Sequence, residues 1–248
     1  ELMQHDQSLS GLTSSIIEKT SKILINERPD LLIVQGDTTT TFAASLASFY
    51  ENIPVAHVEA GLRSYNNYSP YPEEINRKIV GLLSTFHFPP TKIAQKNLIN
   101  ENINEDSILV SGNTVIDALQ FIAEKLESED KKTFYKNHFL EKYGISFGRD
   151  VKSLLITGHR RESFGEGFKN ICSSIRNTAE RNSDIQFIYP VHLNPNVQKP
   201  VFQILNDCSN IFLIEPQEYE AFIFLMKNSH LILTDSGGVQ EEAPTLGK

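Results

Sequence analysis

The sequence predicts an α/β protein made of two doubly wound domains with parallel sheets. Short, almost continuous apolar runs alternate with longer segments of helical periodicity, a pattern typical of parallel strands covered by helices. A charge-rich stretch at 127–152 interrupts the alternation, with four apolar runs before it and four after it. We therefore predict one domain at 1–148 and a second at 149–248.

Each predicted strand is a short apolar run, and all but the run 185–191 end at glycine, proline or a polar residue. The runs are 30–36, 53–61, 85–90, 107–112, 153–158, 185–191, 210–216 and 230–235. Their dense Val, Ile, Leu and Phe content indicates strands buried on both faces. The helices predicted between them are "TFAASLASFYEN", "EEINRKIVGLLS", "TKIAQKNLINEN", "GFKNICSSIRNTAERN" and "EYEAFIFLMKNS".

The net charge, the cysteines and the lengths of the apolar runs argue against several classes of protein. A net charge of −8 argues against a nucleic-acid partner, which needs a basic face. Cys172 and Cys208 lack metal-type spacing and are interpreted as reduced thiols of a cytoplasmic protein. No apolar run approaches the ~20 residues that span a bilayer, so no membrane association is expected. The first residues lack the features of a signal peptide.

Polar or glycine-containing turns follow every predicted strand. The turns are "GDTTTT", "HVEAGLRS", "PPTK", "SGNTVID", "GHRRESFGEG", "VHLNPN", "EPQEY" and "DSGGVQEE". In open parallel sheets, ligands bind beyond the carboxyl ends of the strands. Polar strand ends in both halves therefore predict two halves of one cleft.

The stretch "TDSGGVQEE" is typical of a strand, a tight turn and a helix start. Gly237 and Gly238 let backbone N–H groups approach a ligand, Ser236 adds a hydroxyl, and a helix N-terminus attracts phosphate. A plain capped turn is the competing interpretation. Glu241 and Glu242 are predicted in the first helical turn, where acidic residues are favourable without any ligand.

Two acidic positions in the first half also have ordinary explanations. Asp37 follows a strand and precedes a helix, so helix capping and ligand binding are equally good interpretations. Glu73 and Arg77 are four residues apart in a predicted helix, the spacing of a simple ion pair. Glu59 lies at another strand end.

The stretch "TGHRRESFGEG" places His159, Arg160 and Arg161 at a strand end, with His192 in a similar position further along. Histidine exchanges protons near neutral pH, and arginine binds phosphate oxygens. With the carboxylates, these groups favour acid–base chemistry on a negatively charged small molecule. The sequence offers no obvious covalent nucleophile, metal cluster or dinucleotide loop, so no cofactor or metal is predicted.

These motifs, taken in order, resemble those of the non-hydrolysing UDP-N-acetylglucosamine 2-epimerases. The matching stretches are "GDTTTT", "HVEAGLRS", "PEEINR", "SGNTVID", "TGHRRESFG", "YPVHLNPN", "PQEY" and "TDSGGVQEEAPTLGK". The resemblance implies a glycosyltransferase-B-type fold, two Rossmann-like domains with the nucleotide sugar between them. It also implies a cytoplasmic homodimer that serves cell-envelope polysaccharide synthesis.

The reaction that the resemblance implies is the interconversion of UDP-GlcNAc and UDP-ManNAc. UDP leaves by anti elimination as the C2 proton is removed, giving 2-acetamidoglucal, and UDP then adds back after the proton returns to the opposite face. The site must stabilise positive charge on the sugar and negative charge on the leaving phosphate. That requirement explains why carboxylates and anion donors occur together.

Roles carry over by position. The implied catalytic residues are Asp37, Glu59 and Glu73, supported by Arg77 and His159; the C2 base is not assigned among the three acids. The implied substrate contacts are Gln217 and Phe222 to uracil, Ser236, Gly237 and Gly238 to phosphate, and Glu242 to ribose. Glu73, Arg160 and His192 match positions at which some bacterial members bind a second UDP-GlcNAc as an activator.

The chain departs from the family pattern at both ends. The family's first strand with its "GTRPE"-like loop is absent, as is the region after "LGK", so we expect an internal fragment of a longer chain. Three other functions stay open: a hydrolysing epimerase that releases ManNAc and UDP, a glycosyltransferase of similar architecture, and a catalytically silent UDP-sugar binder.

Overall fold

The computed structural model describes residues 7–158 and 165–248. The chain divides into two units, Glu1–Thr114 and Val115–Lys248. Each unit contains a parallel sheet with helices packed on it. The predicted α/β class with parallel sheets is therefore confirmed.

The first unit has a three-stranded sheet in the order β1-β2-β3. Its elements are helix α1 (Leu9–Glu27), strand β1 (Leu32–Gln35), helix α2 (Thr39–Tyr50), strand β2 (Val55–Val58), helix α3 (Glu73–Leu83), strand β3 (Phe86–Phe88) and helix α4 (Lys92–Asn100). Val34 and Val55 pack against Val80 of α3 on one face of the sheet. The predicted strand at 107–112 makes only an isolated bridge, from Ile108 to His87.

The second unit has a four-stranded sheet in the order β6-β5-β4-β7. Its elements are α5 (Thr114–Lys125), α6 (Glu129–Tyr143), β4 (Lys152–Thr157), α7 (Glu166–Arg181), β5 (Ile185–Pro190), α8 (Pro195–Leu205), β6 (Ile211–Ile214), α9 (Tyr219–Asn228), β7 (Leu231–Thr234) and α10 (Gly237–Glu242). All its strand pairs are parallel.

Helices pack on both faces of the second sheet, as its continuous apolar strands predict, but Leu231 and Leu233 of the edge strand β7 are exposed. Successive residues of a strand point to opposite faces, so Leu155 and Ile156 of β4 belong to different cores. Leu155 packs in the core formed with α5, α6 and α9. Ile156 packs in the core formed with α7 and α8.

The two units divide between Thr114 and Val115, whereas the sequence placed the domain boundary near 148. The charged stretch contains α6, and the buried face of that helix packs on the second unit. The Phe139 ring stacks on Phe224 of α9 at 5.9 Å between centroids. Glu220 of α9 accepts hydrogen bonds from Lys131 and Tyr135 of α6. Tertiary packing of one helix face thus sets the boundary, which charge content alone does not reveal.

Candidate active site

A carboxylate–guanidinium pair lies at the carboxyl end of β1. Arg77 of α3 binds Asp37 Oδ2 through Nε at 2.8 Å and through Nη2 at 2.7 Å. The Asp37 side chain is 24% exposed and that of Arg77 is 16% exposed. Asp37 does not cap α2, because Thr38 holds that position and accepts the Thr41 N–H. Of the two interpretations of Asp37, the structure removes the capping role.

Glu74 is a fully buried carboxylate that was not among the site residues predicted from the sequence. Its Oε2 accepts hydrogen bonds from Ser64 N at 2.9 Å and Arg77 Nη1 at 3.2 Å, and its Oε1 accepts from Tyr65 N at 3.1 Å. Burial opposes ionisation of this group, but the two backbone N–H donors and Arg77 outweigh burial and lower the pKa of Glu74. Glu74 is therefore ionised at neutral pH.

Glu73 is the first residue of α3, one position before Glu74. Its Oε2 is buried and has no hydrogen-bond partner among the described residues. The four-residue spacing suggested an ion pair with Arg77, but Arg77 instead bridges Glu74 and Asp37. Sequence spacing identifies only neighbours on the same helix, whereas Arg77 makes its shortest contacts with Asp37, in the turn after β1.

Glu59 follows β2 with a positive φ of 67°. Its backbone N–H donates to Phe88 O at 3.0 Å, which joins the ends of β2 and β3. A Cβ atom placed on Gly36 would lie 3.6 Å from Glu59 Oε2, so the Glu59 carboxylate lies beside the turn that carries Asp37. The structure thus brings Asp37, Glu59 and Arg77 to one edge of the first sheet.

His57 of β2 is a second residue at this edge that the sequence did not select. Its ring is fully buried, and Nε2 lies 2.8 Å from Gly36 O. Because a carbonyl oxygen only accepts, Nε2 carries the proton and Nδ1 is a bare acceptor; Nδ1 has no partner among the described residues. Burial is the main cause that lowers the pKa of His57 to about 4. His57 is therefore a neutral donor that fixes the turn before Asp37.

His57 predicts a specific pH dependence of stability. The unfolded histidine takes up a proton near its ordinary pKa of 6.5, whereas folded His57 does so only near 4. Its contribution is present above 6.5 and is lost as the pH falls towards 4, by about 2 kcal/mol between pH 7 and pH 5. His57→Gln keeps an N–H donor without the titration, so its unfolding free energy is expected to fall less over that interval. Equal losses in urea unfolding of the two proteins would contradict this assignment.

In the second unit, a cavity of about 190 Å³ lies at the strand ends. Its lining residues are Thr157, Gly158, Pro190, His192, Pro216, Gln217, Phe222, Ser236 and Val239. Four of the sequence-predicted positions, His192, Gln217, Phe222 and Ser236, therefore share one cavity. Phe222 and the prolines give it an apolar wall of the kind on which a planar base packs.

Gly237 and Gly238 begin α10, directly after Ser236. A Cβ atom on Gly238 would meet nothing within 4 Å, so the backbone there is open to an approaching group.

Glu241 and Glu242 are the last two residues of α10, so the prediction that both lie in its first turn is wrong. Glu242 is buried, and its Oε1 accepts a hydrogen bond from Tyr219 Oη at 2.8 Å. The hydrogen bond from Tyr219 thus holds Glu242 in place. Because Glu242 is not at the helix N-terminus, the helix dipole does not account for an acidic residue there.

His159, Arg160 and Arg161 lie outside the described residues. Across 7–158 and 165–248, no group of three His, Cys, Asp or Glu side chains is arranged to hold a metal ion. No helix in these two stretches is long and apolar enough to cross a membrane.

Two parallel α/β units with polar groups at their strand ends define a Rossmann-like protein of the kind that binds nucleotides. The family model described as UDP-N-acetylglucosamine 2-epimerase matches residues 1–248. The chain belongs to the UDP-N-acetylglucosamine 2-epimerase family. The resemblance seen in the sequence motifs is thereby confirmed.

Comparisons with individual proteins support the same family. The chain is 50% identical over 247 residues to the UDP-N-acetylglucosamine 2-epimerase of Escherichia coli K12, covering all of this chain and 65% of the relative. A crystal structure of the Neisseria meningitidis enzyme bound to UDP-GlcNAc is 50% identical, with a TM-score of 0.92 over 100% of this chain and 65% of that one. The Methanocaldococcus jannaschii enzyme in complex with UDP-GlcNAc and UDP is 37% identical, with a TM-score of 0.77 over 97% and 64%. These likenesses confirm the glycosyltransferase-B-type fold class. The chain spans about 65% of the length of the curated relatives it matches.

Proposed function

We propose that the protein interconverts UDP-GlcNAc and UDP-ManNAc by inverting C2 of the sugar. The observation that carries the proposal is the Asp37–Arg77 pair beside Glu59, in a chain whose whole length matches the 2-epimerase family model. A family match alone leaves open whether the acid–base groups are retained. The proposal is supported by the positions of three carboxylates in the first unit: Asp37 and Glu59 follow strands, and Glu73 begins α3.

In this proposal the second unit binds the UDP part of the substrate. Gln217 and Phe222 contact the uracil, and the turn at Gly237 and Gly238, whose backbone is open at Gly238, receives the diphosphate. Glu242, held by Tyr219, accepts a hydrogen bond from a ribose hydroxyl. Support comes from the cavity that Gln217, Phe222 and Ser236 share, and from relatives whose structures contain UDP-GlcNAc and UDP.

The first unit supplies the proton chemistry. A carboxylate removes the C2 proton, the C2–H electron pair forms the C1=C2 bond, and the C1–O pair leaves with UDP. Re-addition reverses these changes after a proton reaches the other face of C2. Asp37, Glu59 and Glu73 are the candidate acid–base groups, since inversion needs proton donors or acceptors on both faces. Arg77 keeps Asp37 oriented through two hydrogen bonds to one oxygen.

Further parts of the proposal follow the family. We propose that the protein acts in the cytoplasm as a homodimer in cell-envelope polysaccharide synthesis. Glu73 and His192 are candidate contacts for a second, activating UDP-GlcNAc, together with Arg160. His159 is proposed as a supporting catalytic group.

Isotope exchange tests the proposed reaction directly. The full-length protein is incubated with UDP-GlcNAc in D₂O, and the sugars are followed by NMR. We expect deuterium at C2 and a mixture of both UDP-sugars, because the removed proton exchanges with solvent before it returns.

Other outcomes identify the competing functions. Free ManNAc with UDP as the final products would indicate a hydrolysing epimerase. Transfer that requires an acceptor, without exchange at C2, would indicate a glycosyltransferase. Tight binding of UDP-GlcNAc without turnover would indicate a UDP-sugar binder and would refute the proposal.

A further inference from the structure

Glu74 makes contacts with two parts of the first unit. One part is the loop at 64–72. The backbone N–H groups of its first two residues, Ser64 and Tyr65, donate hydrogen bonds to the Glu74 carboxylate. This loop carries the exposed side chains of Tyr68 and Tyr71. The other part is Arg77, which donates to Glu74 Oε2 through Nη1. A single carboxylate therefore fixes both the start of the loop and one edge of the guanidinium.

The contact with Glu74 fixes the orientation of the Arg77 guanidinium. A guanidinium is a rigid plane whose donors point in fixed directions. Nη1 is bound to Glu74, while Nε and Nη2 are bound to Asp37. With carboxylates on two edges, the plane of Arg77 has one orientation, and the Asp37 oxygen that it binds is held with it.

A simpler role for Glu74 is to stabilise the start of α3 as an acid in the first helical turn. That role does not require burial, yet the Glu74 side chain is 0% exposed. Both of its oxygens also bind backbone groups outside the helix, at Ser64 and Tyr65. An ionised carboxylate buried in this way is retained only where its partners compensate for the lost hydration. The contacts with the loop and Arg77 provide that compensation.

We propose that Glu74 is a positioning residue for the reaction: it acts through Arg77 to hold Asp37 in place and ties the 64–72 loop to the same pair. This inference rests on the proposed function, since it concerns the rate of that reaction. Glu74 itself is assigned no proton transfer, because its oxygens are already occupied by three donors.

The test combines Glu74→Gln with Arg77→Ala in a double-mutant cycle on the rate of C2 exchange. Gln keeps the size of the side chain but replaces one acceptor oxygen with a donor. We expect Glu74→Gln to lower kcat about 10- to 100-fold, with KM changed less than about threefold, because orientation affects the reacting state more than binding. In the Arg77→Ala background, the further loss from Glu74→Gln is expected to be less than about threefold.

A matched control is Glu101→Gln. Glu101 also binds a buried arginine through two hydrogen bonds, to Arg63 Nε and Nη2, and contacts neither Asp37 nor the loop. The Glu101→Gln variant is expected to melt at a lower temperature than the wild type, with a kcat within about threefold of the wild-type value. Independent, multiplicative losses in the Glu74–Arg77 cycle would overturn the positioning role, as would unchanged kcat in Glu74→Gln.

Folding and function are separated by two further measurements. If Glu74→Gln melts below the assay temperature, Glu74→Asp takes its place, because Asp keeps the charge but is one methylene shorter; it too is expected to lower kcat. Loss of folding in both variants would make Glu74 a folding requirement and overturn the inference. The wild-type protein is assayed first, so absence of C2 exchange there would refute the proposed reaction separately, and this inference with it.

Discussion

Asp37→Asn is expected to slow C2 exchange by about 10²- to 10⁴-fold while the protein stays folded. Asn has nearly the same shape but no charge, so it can neither accept a proton at neutral pH nor balance the Arg77 guanidinium. The Asn carbonyl oxygen still accepts from Nε and Nη2, so only the charge of the pair is lost, which is expected to cost about 1 kcal/mol of unfolding free energy because both side chains are partly exposed. NMR exchange in D₂O measures the rate, and thermal melting measures the stability.

Two comparisons make this result specific. Glu59→Gln is expected to lose exchange to a similar extent, because Glu59 lies beside the same turn. Thr91→Ala removes the hydroxyl that caps α4 by accepting the Ala94 N–H, so it costs about 1 kcal/mol without touching these acids. Slow exchange in Thr91→Ala would trace the loss to stability instead of chemistry. Near-normal exchange in both acid variants would remove Asp37 and Glu59 from the mechanism.

The fold class was predictable because apolar strands covered on both faces have a simple composition. Leu155 and Ile156 show this, since neighbours in the chain pack in different cores. The strand predicted at 107–112 has the same composition but forms only one bridge at Ile108. Apolar content reports that a segment is buried, whereas strand formation also needs a partner in register.

The location of the candidate site could be predicted from the sequence, but the contacts between its side chains could not. Polar residues after the strands located Asp37 and Glu59 correctly at a sheet edge. The partner of Arg77 was not predictable from spacing, because Asp37 is 40 residues away in the sequence. Glu74 was overlooked because adjacent acids in a first helical turn look alike, and only the backbone of Ser64 and Tyr65 distinguishes it from Glu73.

Gly61→Ala is expected to destabilise the first unit by about 3–5 kcal/mol. Gly61 has a φ of +80°, which costs other residues about 1 kcal/mol or more. A Cβ atom there would also lie 2.3 Å from Ala94 O of α4, far inside van der Waals contact. Backbone atoms in a helix cannot turn aside as a side chain can, so α4 must move, and such overpacking costs a further few kcal/mol. Urea unfolding measures the loss.

Comparison with Gly112→Ala separates the two costs at Gly61, the close contact with α4 and the positive φ. Gly112 has a φ of +81°, but an added Cβ would meet nothing within 4 Å, so its loss is expected to be about 1–2 kcal/mol. The excess loss in Gly61→Ala then measures how firmly α4 is held against this segment. Asn97 of α4 donates to Gly61 O and accepts from Tyr65 Oη, so a shift of α4 also reaches the start of the 64–72 loop. Equal losses in the two variants would show that α4 yields easily and does not fix that loop.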